Sequence, residues 1–354
     1  MQRLLAIIVL CLWALPARAE PDREWRTADP AAAGWAAAAL QPLRDYADLR
    51  KPTALLLVQN GAVIASFGDP ARKVGVASVR KSLLSALYGI AVAEGRIDLD
   101  STLGELGIDE KSPGLSEQEK GATVRNLLTA RSGIYLPAAH ETSEIREKRP
   151  ARGSHAPGAF WFYNNWDFNA LGTIYRQRTG EDIFESFARR IAAPIGMQDF
   201  SAADGRYAQS PASRHPAYPF RMSARDLARF GVLFANGGSW DGRQLVPAAW
   251  VRESTTSHSA TDRPAQGYGY MWWTLPEDGF GKGAALASGY GGQLLAIVPG
   301  KRLVVVQTAE SGNSRRGTRT RDFIGLLRRI VAAAPLRCMP AAPGRTGHRV
   351  RWTT

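Results

Sequence analysis

The sequence predicts an α/β fold of the α+β type: one antiparallel sheet built from both chain ends, flanked by helices, with an all-helical insertion between its two halves. Three observations predict it. In PTALLLVQNGAVIASFGD two β-rich runs flank Asn60-Gly61, a strong short-range hairpin signal. Strand patterns return only late, in YGYMWWTL and GAALASGYGGQLLAIVPGKRLVVVQTAE. Between them, from Ser82 to about Asn236, the pattern is mostly helical, broken by irregular Gly/Pro-rich stretches. This arrangement places the sheet at about residues 30–80 and 237–335 and the helical part at about 82–236, with an active site where the two parts meet.

Taken in order, MQRLLAIIVLCLWALPARAE opens with a charged start at Arg3, an apolar core from Leu4 to Leu15 and a small-x-small site at Ala17-Arg18-Ala19. That is the pattern of a secretory signal peptide over residues 1–19, implying export to the periplasm or beyond. The apolar run is shorter than the ~20 residues needed to span a bilayer. Leu10 before Cys11 lacks the small side chain that lipid attachment needs. With Cys11 removed, Cys338 stands alone and no internal disulfide can form. Stability then rests on the core, which a domain over 20–335, in a chain that is 45% hydrophobic as a whole, can supply.

AAAGWAAAALQPLRDYADLR reads as a helix of strong formers before the hairpin, and TRDFIGLLRRIVAA as a last amphipathic helix. Ser223 to Asp226 reads as a capping box opening ARDLARFGVLFANG, Pro247 as the first residue of another helix, and Arg131-Ser132-Gly133 as a helix end. The net charge is +13, but residues 314–354 hold ten Arg against Asp322 alone. The excess is therefore a terminal feature. Residues 336–354 are basic, Pro/Gly-punctuated and without period, and read as a disordered tail. Such a tail suits weak association with an anionic envelope surface, or it is simply a solvated end. No aromatic residues interleave the basic ones as a nucleic-acid surface requires.

The chemistry concentrates in three clusters. In VGVASVRKSLLSALYGIAVAEG, Val79, Leu83, Leu84, Leu87, Ile90 and Ala91 recur at helical spacing and Gly95 follows as a stop. Ser78 sits at the first turn, and Lys81, three residues on, shares its face. A serine hydroxyl needs a neighbouring base, and a helix N-terminus favours the developing alkoxide. The bland alternative is a helix cap with a solvated lysine, since about one Ser-x-x-Lys arises by chance in a chain of this length. No other serine here has Lys at +3. In GAFWFYNNWDFNALGTIYRQRTG, Tyr163-Asn164-Asn165 precedes a helix from about Asp167 to Arg178, stopped by Gly180. A cation such as Lys81 beside Tyr163 would favour phenolate and make it a base. Asn165 can bond both the lysine and a substrate carbonyl. Alternatively, Tyr163 joins Trp161, Phe162 and Trp166 as core aromatics. In ASGYGGQLLAIVPG, Gly289, Gly291 and Gly292 within a strand pattern indicate close approach by a ligand or backbone, or only a tight turn. An edge N–H there could complete an oxyanion hole with that of Ser78.

Other systems are poorer. No serine has Gly at both −2 and +2, and the five histidines (140, 155, 215, 258 and 348) are scattered. No metal-ligand spacing stands out and no cofactor is expected.

Together, Ser78-Val79-Arg80-Lys81, Tyr163-Asn164-Asn165 and Tyr290-Gly291-Gly292 resemble, in order and separation, the three motifs of the serine β-lactamase and penicillin-binding superfamily. The resemblance covers about residues 40–333 and is nearest its class C-type branch, which also holds esterases, DD-peptidases and 6-aminohexanoate-dimer hydrolases. It implies an α/β sandwich domain and a helical domain with the site between them. It also implies Ser78 as the acylated nucleophile and Lys81 as its proton acceptor or electrostatic partner. Tyr163 is implied as general base, and Asn165 as holding Lys81 and the substrate. The oxyanion hole would come from the N–H groups of Ser78 and Gln293, with Gly292 the alternative. Tyr290 is the departure: many β-lactamases and DD-peptidases carry Lys or His there to meet a substrate carboxylate. Arg80 is expected to be solvated or ion-paired outside the site. The leading expectation is an exported serine hydrolase acting on a small-molecule ester or amide. The alternatives are a true β-lactamase or DD-peptidase, and a non-catalytic envelope-binding protein on the same scaffold.

Overall fold

Leu55 to Val58, Leu294 to Val298 and Leu303 to Val306 are all buried runs, and a strand buried on both sides needs cover on both faces. The computed structural model, which describes residues 24–310 and 320–335, supplies that cover. The expected signal peptide and basic tail lie outside the described residues. Nine strands form the main sheet: β1 (Arg26–Thr27), β2 (Ala54–Gln59), β3 (Ala62–Gly68), β4 (Ser259–Ala260), β5 (Gly267–Tyr268), β6 (Trp273–Thr274), β7 (Ala285–Gly289), β8 (Gln293–Val298) and β9 (Leu303–Thr308). Their order is β1-β3-β2-β9-β8-β7-β6-β5-β4, so the two chain ends meet where β9 pairs with β2, Val305 opposite Leu57. The sheet is antiparallel except at one edge, where β1 pairs parallel with β3. Asn60 and Gly61 both take positive φ, +50° and +74°, as a two-residue hairpin turn requires.

The long helices are α1 (Gln41–Arg50), α2 (Val79–Ala93), α3 (Asn165–Thr179), α4 (Ala224–Ala235) and α5 (Thr320–Ala333). α4 packs across β2, β8 and β9. Gly231 makes this possible: a Cβ there would lie 2.5 Å from Val304 Cγ1. α1 and α5 pack together, tied by Arg50 to Asp322 at 2.6 Å. The helix expected from Ala31 begins only at Gln41, after a short 3-10 turn, because Pro42 suits a first helical turn and not an interior. Ser223 caps α4 by accepting from the Asp226 N–H, but the box is half-made. The Asp226 carboxylate instead accepts from the backbone of Gln198, Asp199 and Phe200. Pro247 stands just before its helix, Ala248–Ser254.

α2 is buried on nearly every side, the signature of a core helix. Its hydroxyls are fixed by neighbouring backbone: Ser82 donates to Met271 O (2.8 Å), Ser85 to Tyr270 O (2.7 Å) and Tyr88 to Leu171 O (2.6 Å). These bonds hold the helix bearing Ser78 and Lys81 between the sheet side and α3. No helix among the described residues is long and apolar enough to cross a membrane.

Candidate active site

The chain enters α2 through a short ladder, Val74 opposite Met222 and Gly75 opposite Arg221, followed by Val76 N–H donating to Phe220 O at 3.0 Å. Ala77 then takes φ +47°, a conformation that costs a residue with a Cβ about 1–3 kcal/mol. The turn presents Ser78 at the head of the helix. Ser78 occupies the N-cap position, yet its hydroxyl caps no helix N–H. It faces Lys81 instead, with Oγ 3.1 Å from Nζ. The reading of Ser78 as a plain helix cap therefore does not hold.

Lys81 is 1% exposed, and a buried lysine needs partners. Its Nζ lies 2.7 Å from Tyr163 Oη and 2.7 Å from Asn165 Oδ1. It also sits 4.0 and 4.3 Å from the ring centroids of Tyr163 and Phe168. Burial, together with the positive charges of Arg80 and Arg263, holds its pKa well below the usual lysine value, because each disfavours the charged form. A neutral amine has two N–H groups and one lone pair. Asn165 Oδ1 can only accept, so one N–H goes there and the lone pair remains for a neighbouring hydroxyl proton.

Burial pushes the Tyr163 phenol up, against the opposing effects of the Ser78 hydroxyl and the charges of Arg263 and Arg80. The expectation that Lys81 would draw Tyr163 toward phenolate is thus outweighed by desolvation, which favours the neutral phenol as it favours the neutral amine of Lys81. Tyr163 is wedged by aromatic contacts, stacking on Trp273 at 5.5 Å and packing against Phe168 at 5.1 Å. The turn before α3 is held by Asn164, which accepts from Trp166 N–H (3.2 Å) and donates to Ile134 O and to Asp167 Oδ1 (2.8 Å). Asp167 Oδ1 also accepts from Ser132 Oγ at 2.6 Å, which gives the Arg131-Ser132-Gly133 segment its role as a support. Asn165 donates from Nδ2 to His140 O, leaving its second N–H free to meet a carbonyl.

The third cluster meets the head of α2 at the end of β7, where Gly289 pairs with Gln293. Gly289, at the end of β7, is the glycine that closes on Ser78: a Cβ there would lie 2.5 Å from Val76 O and 3.1 Å from Ser78 N. Tyr290, Gly291 and Gly292 form the hairpin turn beyond it, with Tyr290 68% exposed. Gly292 O accepts from Gln307, and the buried Gln293 side chain bonds the backbone of Ala309; these contacts fix the hairpin and engage neither residue's backbone N–H. Arg80 departs from its expected solvated position. It is 3% exposed, donates to Asn169 Oδ1 at 3.0 Å and lies 4.2 Å from the Tyr218 ring centroid. Its charge faces Lys81 from behind, where no carboxylate neutralises it among the described residues. Sequence reasoning missed Arg263, which no local pattern marks. Among the described residues no group of three His, Cys, Asp or Glu could hold a metal. A separate open cavity of about 1370 Å³, bordered by Phe234, Arg252, Thr274 and Lys282, includes none of these site residues.

The beta-lactamase family model matches residues 44–328. The chain belongs to the beta-lactamase family. Its fold is shared with a Bacillus anthracis protein described as a candidate 6-aminohexanoate-dimer hydrolase, at 21% identity and a TM-score of 0.65 over 89% of this chain and 88% of that one. It is shared likewise with the D-alanine carboxypeptidase AmpC of Burkholderia cenocepacia, at 18% identity and a TM-score of 0.60 over 84% and 98%. An uncharacterised protein of Alkalihalophilus pseudofirmus is 24% identical over 266 residues, 68% of this chain and 75% of its own. Members of the beta-lactamase fold family are serine hydrolases, and this chain is a member of that superfamily.

Proposed function

We propose that this beta-lactamase family protein is an exported serine hydrolase that cleaves a small ester or amide through an acyl-enzyme on Ser78. The observation that carries the reading is the buried Lys81 amine within reach of Ser78 Oγ, Tyr163 Oη and Asn165 Oδ1 at 3.1, 2.7 and 2.7 Å. Lys81 in its neutral form, which burial favours, takes the Ser78 proton as Oγ bonds to the substrate carbonyl carbon. The oxyanion forms at the N-terminus of α2, facing the Ser78 N–H, where donors and the helix dipole favour it. Tyr163, bonded to Lys81, passes the proton to the leaving oxygen or nitrogen as the carbonyl bond to it breaks. The same groups then deprotonate the water that attacks the acyl carbon, and Ser78 regains its proton. Export rests on the pattern of residues 1–19.

Ser78→Ala tests the reading. With the far-ultraviolet spectrum and melting unchanged, turnover of p-nitrophenyl butyrate is expected to fall to background. Retained turnover would defeat the proposal. Covalent labelling of Ser78 by a fluorescent penicillin would move the reading to a true β-lactamase or DD-peptidase.

A further inference from the structure

The third cluster offers no cation to a substrate, since Tyr290 stands at the hairpin tip. A cation nevertheless borders the site. Arg263, in the loop between β4 and β5, lies with its guanidinium carbon 3.6 Å from the Trp273 ring centroid. Trp273 stacks in turn on Tyr163, so guanidinium, indole and phenol form one stack ending at the catalytic network. The charge of Arg263 acts on both Lys81 and Tyr163. Yet its guanidinium makes no ion pair or hydrogen bond among the described residues, and Nη1 is buried without a partner.

The two carboxylates whose charges reach Arg263, Asp262 and Glu144, are both drawn to Lys148, at 3.9 and 2.7 Å. Neither carboxylate touches the Arg263 guanidinium, so its charge has no anionic partner in contact among the described residues. Two further positive charges act at the site: Arg80, whose charge reaches Lys81, and Arg206, whose charge reaches His140 together with those of Arg80 and Lys81. An arginine fixed by stacking, partly desolvated and lacking its anion is built to receive one. A cleft of one sign concentrates ligands of the other.

Resting on the hydrolase reading, we infer that Arg263 is the anion-recognition residue of this cleft and that the substrate is an ester or amide carrying a carboxylate. The test compares mono-p-nitrophenyl succinate with p-nitrophenyl butyrate, which share a leaving group and differ chiefly by that carboxylate. The wild-type protein is expected to favour the succinate ester in kcat/KM. Arg263→Gln should lower that preference by about tenfold or more, the loss of one charge-assisted hydrogen bond, mainly through KM. Arg263→Lys should restore part of it. Binding of both esters to Ser78→Ala, read by calorimetry, gives the same comparison without turnover. No preference in the wild-type protein, or one unchanged in Arg263→Gln, overturns the assignment. If Ser78 proves unreactive while the Ser78→Ala protein still favours the anionic ester, the hydrolase reading fails and the anion site stands.

Discussion

Gly289→Ala probes the contact between sheet and nucleophile. The added Cβ would lie 2.5 Å from Val76 O, where Cβ atoms essentially never come under 3.0 Å, so the two segments must part by at least 0.5 Å. Neither can yield cheaply. Gly289 is paired with Gln293 across the hairpin, and Val76 O accepts the Val79 N–H in the first turn of α2 at 3.1 Å. Overpacking of this kind costs about 1–3 kcal/mol, or a few degrees in Tm for a domain of this size. The activity should fall further, because displacements of about 1 Å at a reacting centre cost about 100-fold and Ser78 N is itself 3.1 Å from the new atom. The expected result is a 10- to 100-fold loss in kcat/KM for p-nitrophenyl butyrate, with the fold retained by circular dichroism. Gly300→Ala, with nothing within 4 Å of the new Cβ, should match the wild type. A Gly289→Ala protein with kcat/KM within about twofold of wild type and an unchanged Tm would refute the reasoning.

Arg80→Met removes a positive charge facing Lys81; the lysine pKa then rises, and the acid limb of the pH profile of kcat/KM should move to higher pH. A limb that stays in place contradicts that account. Asp167 is held well above its ordinary value of 3.8 by burial, so the folded protein keeps a proton the unfolded chain releases. Wild-type stability should therefore fall as pH rises from 3.8 toward the raised value. Asp167→Asn, which keeps the Oδ1 acceptor, should lack that decline, and parallel stability curves from pH titration of denaturant midpoints would count against it. Gly231→Ala, pressing on Val304 and Leu295, should cost about 1–3 kcal/mol in denaturant melts and leave the activity per folded molecule unchanged.

Legibility in the sequence followed locality. The hairpin at Asn60-Gly61 and the run of α2 are encoded by short-range turn chemistry and periodicity, and both stand where the patterns put them. Arg80 was misplaced because a charge in a helix is ordinarily solvated, whereas α2 is enclosed and Arg80 finds Asn169 and Tyr218 from distant parts of the chain. Three glycines near residue 290 are alike in sequence. Gly289 meets Val76 and Ser78 where Gly291 does not, a contact fixed by how the sheet lies on α2. Arg263 and Trp273 come together across β5 without any shared motif. The fall in the Lys81 pKa likewise depends on enclosure by groups far apart in the chain.

The central claim is that Ser78 is an activated nucleophile. Incubating the folded protein with a fluorophosphonate and locating the adduct by intact and peptide mass spectrometry tests it most directly. A single stoichiometric adduct on Ser78, absent after prior denaturation, is the predicted result. Folded protein that takes up no label, or carries it on another residue, would contradict the account.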